Sequence, residues 1–218
     1  MSTKKAKFSN KDIKYMSLAL ELARARQGLT GENPSVGCVI VKSDKIISIG
    51  QTGYKGRPHA EYNAIKNSIE SLDKSKMYVS LEPCNHYGQT PPCTKKIIRN
   101  KISEVIYSIE DIDKKVKGKS LKILKAQNIN VKKGLLEKEI RNFYDPYFFN
   151  RKNKTPFVTG KIAISKNNLI YSKGTKRISD VHSDQLTHFL RYKNDSLMIS
   201  YKTLNKDNPK LNCRLKGL

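Results

Sequence analysis

The sequence predicts an α/β layer fold, and three observations carry that expectation. Segments with apolar residues at helical spacing alternate with short β-branched runs, tight-turn residues punctuate the joins, and repeats and low-complexity stretches are absent. At 218 residues, with 37% hydrophobic and 28% charged residues, the chain has a globular composition with length for one domain and some to spare.

The elements follow in order. Ser9 or Asn10 caps a helix whose Ile13, Met16, Leu20 and Ala23 share one face, and Gly28 is placed to end it. Asn33-Pro34 marks a turn before a buried strand over 36–41. Ser43-Asp44-Lys45 then turns the chain into a hairpin partner over 46–50. After the Gly53, Gly56 and Pro58 loop, helical spacing from His59 to about Ile69 puts His59 at a helix start and Glu61 within its first turn. A strand over 77–81 runs directly into Glu82-Pro83-Cys84. Pro91-Pro92 preset the entry to a helix over 93–99, because the missing proline N–H is not needed in a first turn. A strand at 104–109, a helix at 118–127, a short strand at 129–132 and an aromatic-rich helix at 135–149 complete this unit.

Composition narrows the function. No apolar run approaches the roughly 18 residues of a membrane span. The lysine-rich opening Met1 to Asn10 has no apolar segment behind it, so the expected compartment is the cytosol. Four cysteines in that setting read as thiols or ligands rather than disulfides. The net charge of +24 is spread along the whole chain, which fits solvated helix faces and an anionic ligand better than a nucleic-acid surface.

The chemistry resides in His59-Ala60-Glu61 and in the run from Pro83 to Cys93. Alone, a His-x-Glu triplet at a helix start is usually a capping arrangement, and scattered cysteines are usually buried thiols, which is the reading of Cys38 and Cys213. The conjunction reads differently. His59, Cys84 and Cys93 are imidazole and thiolate donors suited to Zn²⁺, one ion per chain, and each falls at an element boundary. Three protein ligands leave a position for water, whose pKa such a metal lowers. Cys93 opens a helix, where the dipole and free N–H groups favour a thiolate. Glu61, two residues beyond His59, can reach that water without being a ligand and acts as the proton shuttle of a zinc deaminase.

These residues resemble the riboflavin-biosynthesis pyrimidine deaminase/reductase family, bifunctional enzymes whose N-terminal domain is cytidine-deaminase-like. Asn33 to Val41, the triplet at His59 and the stretch from Leu81 to Cys93 carry the resemblance, which spans nearly the whole chain. The eight residues between Cys84 and Cys93 are the specific feature, since cytidine and tRNA-adenosine deaminases characteristically leave two. The resemblance implies a three-layer α/β/α domain over residues 1–150 with a mostly parallel mixed sheet. It also implies hydrolytic deamination of 2,5-diamino-6-ribosylamino-4(3H)-pyrimidinone 5′-phosphate. Asn33 would orient the ring, while His86 contacts the ligand or holds the loop.

Two further positions, Thr52 and Gln89, stand where the family often has His and a basic residue, and are expected at the substrate or its phosphate. Lys55, Arg57 or Lys95 would then compensate. Asp111 and Gly118 are retained from an Asp-Pro-Asn-Pro stretch. A deaminase acting on tRNA or free nucleobases, and a zinc-stabilised binding module without activity, are the alternatives.

Residues 151–218 are expected to be a linker and an incomplete segment resembling the dihydrofolate-reductase-like domain. Strands are expected at 161–165 and 196–200, and a helix at 181–191. Asn167-Asn168, Ser200 and Lys202 stand where that family has Asp-Gly and glycines, and about 64 residues are too few for an independent nucleotide-binding core. NADPH therefore enters only with a complete reductase domain. On this expectation the chain is a fragment of a longer enzyme, or its tail packs on the deaminase or on another subunit. Exposed apolar faces in the tail are a motive for homo-oligomerisation.

Overall fold

The computed structural model describes residues 7–170 and 178–217, so part of the lysine-rich opening segment lies outside the described residues. The chain divides into two compact units, Met1–Phe157 and Val158–Leu218.

In the first unit, helix α1 (Asn10–Arg26) opens with a reciprocal cap. The Asp12 N–H donates to Ser9 Oγ at 3.2 Å and the Ser9 N–H donates to Asp12 Oδ2 at 2.7 Å. Met16, Ala19, Leu20 and Ala23 are buried beneath it, while Ile13 is 39% exposed and falls off the expected stripe. Strands β1 (Gly37–Lys42) and β2 (Lys45–Gln51) pair as an antiparallel hairpin. Ser43 and Asp44 adopt φ of 48° and 60°, which matches the turn to the strand twist. Then come α2 (Ala60–Asn67), β3 (Lys76–Leu81), α3 (Cys93–Arg99), β4 (Glu104–Ile109), α4 (Lys119–Lys125), β5 (Asn130–Lys133) and α5 (Glu137–Asn153). Helix α2 stops at Asn67, and Ile69, expected in its last turn, is 98% exposed.

The sheet order is β2-β1-β3-β4-β5. Adjacent pairs divide evenly, because β1 is antiparallel to both β2 and β3, whereas β3–β4 and β4–β5 are parallel. The sheet is thus mixed rather than mostly parallel by pairing. By direction, however, β1 runs against the other four. The reason is that a two-residue hairpin forces β2 to reverse, and each later strand is reached through a helical crossover. A sheet of such crossovers brings the C-terminal ends of β2, β3 and β4 to one edge, beside the start of β1. That edge is where ligands bind in open α/β sheets.

Helices cover both faces. Glycine allows the closest approaches, since a Cβ at Gly37 would run into the Ala19 carbonyl of α1, and one at Gly50 into the Ala60 carbonyl of α2. Gly50 pairs with Cys38, the residue after Gly37, and successive strand residues point to opposite faces, so α1 and α2 lie on opposite sides. Helix α5 meets α1 through the Arg24–Glu139 ion pair and is tied to the sheet through Tyr144. Its hydroxyl donates to Ser35 O at 2.8 Å and meets Ser80 Oγ at 2.7 Å, which itself accepts from the Gly37 N–H. Tyr144→Phe would leave Ser35 O and the Ser80 hydroxyl short of partners in a buried place. We expect it to lower unfolding stability by about 1–3 kcal/mol in urea denaturation, with the slope unchanged.

The second unit holds α6 (Val181–Lys193), capped by Asp180, and α7 (Tyr201–Asp207), capped by Ser200. Helix α6 covers the expected 181–191. The strands expected at 161–165 and 196–200 are absent among the described residues, because an extended run becomes a strand only when a neighbour completes its ladder. Asn168 takes φ of 62° in a tight turn closed by Ser165 and Leu169, a conformation asparagine tolerates better than most residues. Cys38 is fully buried as expected, whereas Cys213 is only half-buried, because the described residues of this unit include none that is fully buried around it.

Candidate metal centre

His59 is the N-cap of α2, Cys84 follows the end of β3, and Cys93 is the first residue of α3. The fold brings them together so that their ligand atoms all lie within 4.8 Å of one another. His59 Nδ1 is 3.5 Å from Cys84 Sγ and 3.5 Å from Cys93 Sγ. That spacing is the edge of a tetrahedron whose centre lies roughly 2.3 Å from sulfur and roughly 2.0 Å from nitrogen, the bond lengths of zinc. The residues therefore fit one Zn²⁺.

The electrostatics agree, with one departure from expectation. The free N–H at the start of α3 donates to Cys84 Sγ at 3.3 Å rather than favouring its own thiol. Hydrogen bonding from Cys93, then from His59, brings the Cys84 thiol down to about 4. The Cys93 thiol is pushed well up, first by its hydrogen bond to Cys84 and then by burial. Two adjacent buried thiolates need a cation between them, which is the charge a divalent metal supplies. Cys84 also raises the His59 pKa by accepting its hydrogen bond.

Glu61 is 4% exposed in the first turn of α2. Burial, reinforced by the negative charge of Cys84, pushes its carboxyl up to about 7. A carboxyl at that value exchanges protons readily near neutrality, as a general acid and base must. The pocket above it is lined by Asn33, Thr52, Arg57, His59, Cys84 and His86 along with acidic and α5 residues. His86 Nδ1 is buried with no hydrogen-bond partner, and so is free to meet a ligand. Asn33 Nδ2 donates to Gly56 O at 3.4 Å. Thr52 is 2% exposed, its hydroxyl accepting from the Val36 N–H at 2.9 Å and so fixing the start of β1. Gln89 is exposed on the cysteine loop and is not part of the lining.

Four polar lining residues, Glu82, Asp113, Tyr147 and Arg151, are not among those the sequence singles out. Glu82 accepts from the Gly118 and Ser120 N–H groups at 2.9 and 3.2 Å, and from the Ser120 hydroxyl, which caps α4 from a distance. Asp111 accepts from the Asp113 N–H at 3.0 Å and the Tyr147 hydroxyl at 3.4 Å. Tyr147 and Arg151 are four residues apart, a helical stripe that reads in sequence as one more aromatic core face. A larger groove lies at the opposite strand ends, among Lys7, Asp12, Tyr15, Asp44 and Lys76, and holds none of the metal-ligating residues.

A mixed α/β sheet with one imidazole, two thiols and a buried nonligand carboxylate at its edge defines the zinc-dependent nucleobase-deaminase class. Residues 9–109 match the cytidine and deoxycytidylate deaminase zinc-binding region. The chain is 41% identical over 145 residues to the diaminohydroxyphosphoribosylamino-pyrimidine deaminase of Buchnera aphidicola subsp. Acyrthosiphon pisum, covering 66% of this chain and 99% of that protein. The chain belongs to the diaminohydroxyphosphoribosylamino-pyrimidine deaminase family. It is also 36% identical over 205 residues to the riboflavin biosynthesis protein RibD of Aquifex aeolicus, covering 93% of this chain and 58% of that protein. Among solved structures, the diaminohydroxyphosphoribosylaminopyrimidine deaminase/5-amino-6-(5-phosphoribosylamino)uracil reductase of Thermotoga maritima superposes with a TM-score of 0.88 at 34% identity. That match covers 95% of this chain and 60% of the Thermotoga chain. This chain thus spans a little over half the length of the RibD proteins it matches. Among the described residues no helix is long and apolar enough to cross a membrane.

Proposed function

We propose that this protein removes the 2-amino group of 2,5-diamino-6-ribosylamino-4(3H)-pyrimidinone 5′-phosphate by hydrolysis, yielding the 5-aminouracil ribotide and ammonia. The observation that carries the reading is the buried Glu61 carboxyl beside the His59, Cys84 and Cys93 cluster, at the floor of a pocket. His59, Cys84 and Cys93 would hold the zinc, which would supply a Lewis acid at this end of the pocket.

The remaining work falls to the protein's own groups. Glu61 takes a proton from the attacking water and delivers it to the departing amine, so that water adds and ammonia leaves in balance. Asn33 holds the ring, and the unpartnered His86 Nδ1 meets a polar group of the ligand. Thr52 forms part of the wall, while Gln89 stands exposed on the cysteine loop. Residues 1–150 form the deaminase domain in this proposal, and residues 151–218 a linker and reductase-like segment. The setting is the cytoplasm, where the two thiols stay reduced and available to metal.

Ammonia release from the zinc-loaded protein tests the proposal, with the diaminopyrimidine ribotide offered beside cytidine. Turnover of the ribotide with little of cytidine is expected. Turnover of cytidine alone, or of neither compound, overturns the assignment.

A further inference from the structure

Two guanidinium groups line the same pocket, and neither forms an ion pair with a carboxylate among the described residues. Arg57 Nη1 donates to Thr90 Oγ1 at 3.0 Å and lies 3.5 Å from His59 Nε2. Its Nη2 is the atom that a side chain at Gly88 would meet, so the guanidinium lies against the Gly88 to Thr90 stretch of the cysteine loop. Arg151 Nη2 donates to Glu32 O at 3.0 Å, its guanidinium carbon is 5.5 Å from the centre of the Tyr147 ring, and its Nε is buried without a partner.

The two arginines belong to one framework. Arg151 holds Glu32, the next residue Asn33 holds Gly56 O, and Arg57 follows Gly56 directly. The two lysines expected to serve beside Arg57, Lys55 and Lys95, do not line the pocket and have other partners. Lys55 Nζ sits 5.7 Å over the Tyr54 ring, and Lys95 donates to the Tyr87 hydroxyl at 2.8 Å. Two of the pocket's carboxylates are engaged by other partners. Glu82 is held by Gly118 and Ser120, and Asp111 by Asp113 and Tyr147.

An arginine with spare donors and no carboxylate, at the wall of a pocket, is a receptor for an oxyanion, because its planar fork matches phosphate oxygens two at a time. We infer that Arg57 and Arg151 form the anion subsite of this pocket and grip the 5′-phosphate of the ligand. This deepens the deaminase reading and rests on it for the identity of the ring. The division of the site follows. The metal cluster and Glu61 act on the ring amine, while the two arginines fix the far end of the molecule and set the preference for a phosphorylated ligand.

The test compares the ribotide with its dephosphorylated riboside in the full chain, for Arg57→Ala, Arg57→Lys and Arg151→Ala, with zinc content checked in each. Each alanine variant is expected to raise KM for the ribotide about ten- to a hundredfold, with the loss falling on KM rather than kcat. The preference for ribotide over riboside should shrink accordingly, and Arg57→Lys should recover part of it. A preference identical to the parent's in both alanine variants overturns the subsite. Because Arg57 touches His59, Arg151→Ala decides the matter if Arg57→Ala loses zinc. Binding of ribose 5-phosphate, followed by calorimetry, separates this inference from the reaction assignment. If the parent protein turns over neither compound yet binds ribose 5-phosphate, and Arg57→Ala or Arg151→Ala abolishes that binding, the subsite stands and only the reaction falls. No binding by the parent protein overturns the subsite itself.

Discussion

Glu61→Gln is expected to lower turnover of the diaminopyrimidine ribotide by about 10²–10⁴-fold while leaving one zinc per chain. The substitution keeps the size and polarity of a side chain that is 4% exposed, so the α2 start and the Gly50 contact beneath it are undisturbed. What it removes is a group that can hold a proton and give it back. Burial and the neighbouring Cys84 place that exchange near neutrality, with the carboxyl at about 7. The amide has no such equilibrium, so neither the proton leaving water nor the proton arriving at the amine has a carrier. Measuring ammonia release and metal content on the same preparation separates the two roles. Undiminished turnover in Glu61→Gln would exclude Glu61 as the proton carrier, and loss of zinc would reassign it to metal binding.

Cys84→Ser is expected to lower zinc affinity by at least about a hundredfold and to abolish turnover. Its sulfur is the hub of the cluster, meeting His59 Nδ1 at 3.5 Å and accepting the Cys93 N–H at 3.3 Å. With a thiol brought down to about 4, it is the donor most readily ionised for metal binding, and a serine hydroxyl does not ionise there. Because the three ligands come from separate parts of the chain, metal bound by the folded protein also stabilises the fold. Chelation should therefore lower the melting temperature of the parent protein and leave that of Cys84→Ser nearly unmoved. A desalted Cys84→Ser protein that still carries one equivalent of zinc would remove Cys84 from the ligand set.

Local signals made much of the first unit legible. Ser9 and Asp12 announce a helix start because a capping box is a contact between residues three apart. Ser43-Asp44 announces a hairpin, and Pro91-Pro92 the beginning of α3. Where a feature depends on distant partners, the same reasoning faltered. The runs at 161–165 and 196–200 have strand composition, yet without a paired neighbour their backbone forms no ladder. Thr52 lines the pocket as its position suggests, while the bond its hydroxyl accepts from the Val36 N–H depends on the register of β1 against β2 and has no local signal.

Cys93 departs from expectation in the same way. A thiol at a helix start favours the thiolate by itself, but here Cys84 is the one brought down, first by the hydrogen bond from the Cys93 side chain and in smaller part by the Cys93 N–H at the start of α3. Arg151 and Tyr147 lie 118 and 114 positions beyond Asn33 in the chain, and only the packing of α5 on the α1 face brings them to the pocket it lines.

The donor set is written in the chain: His59, Cys84 and Cys93 for the metal, Glu61 two residues from the first ligand, and an eight-residue interval between the thiols. These are matters of residue type and short spacing, readable without a fold. The convergence of the donors, the more acidic of the two thiols and the arginines that line the pocket are set by the tertiary fold alone. The reason is topological. Crossover connections send β2, β3 and β4 the same way, so their ends meet at one edge, and groups separate along the chain come within bonding distance there.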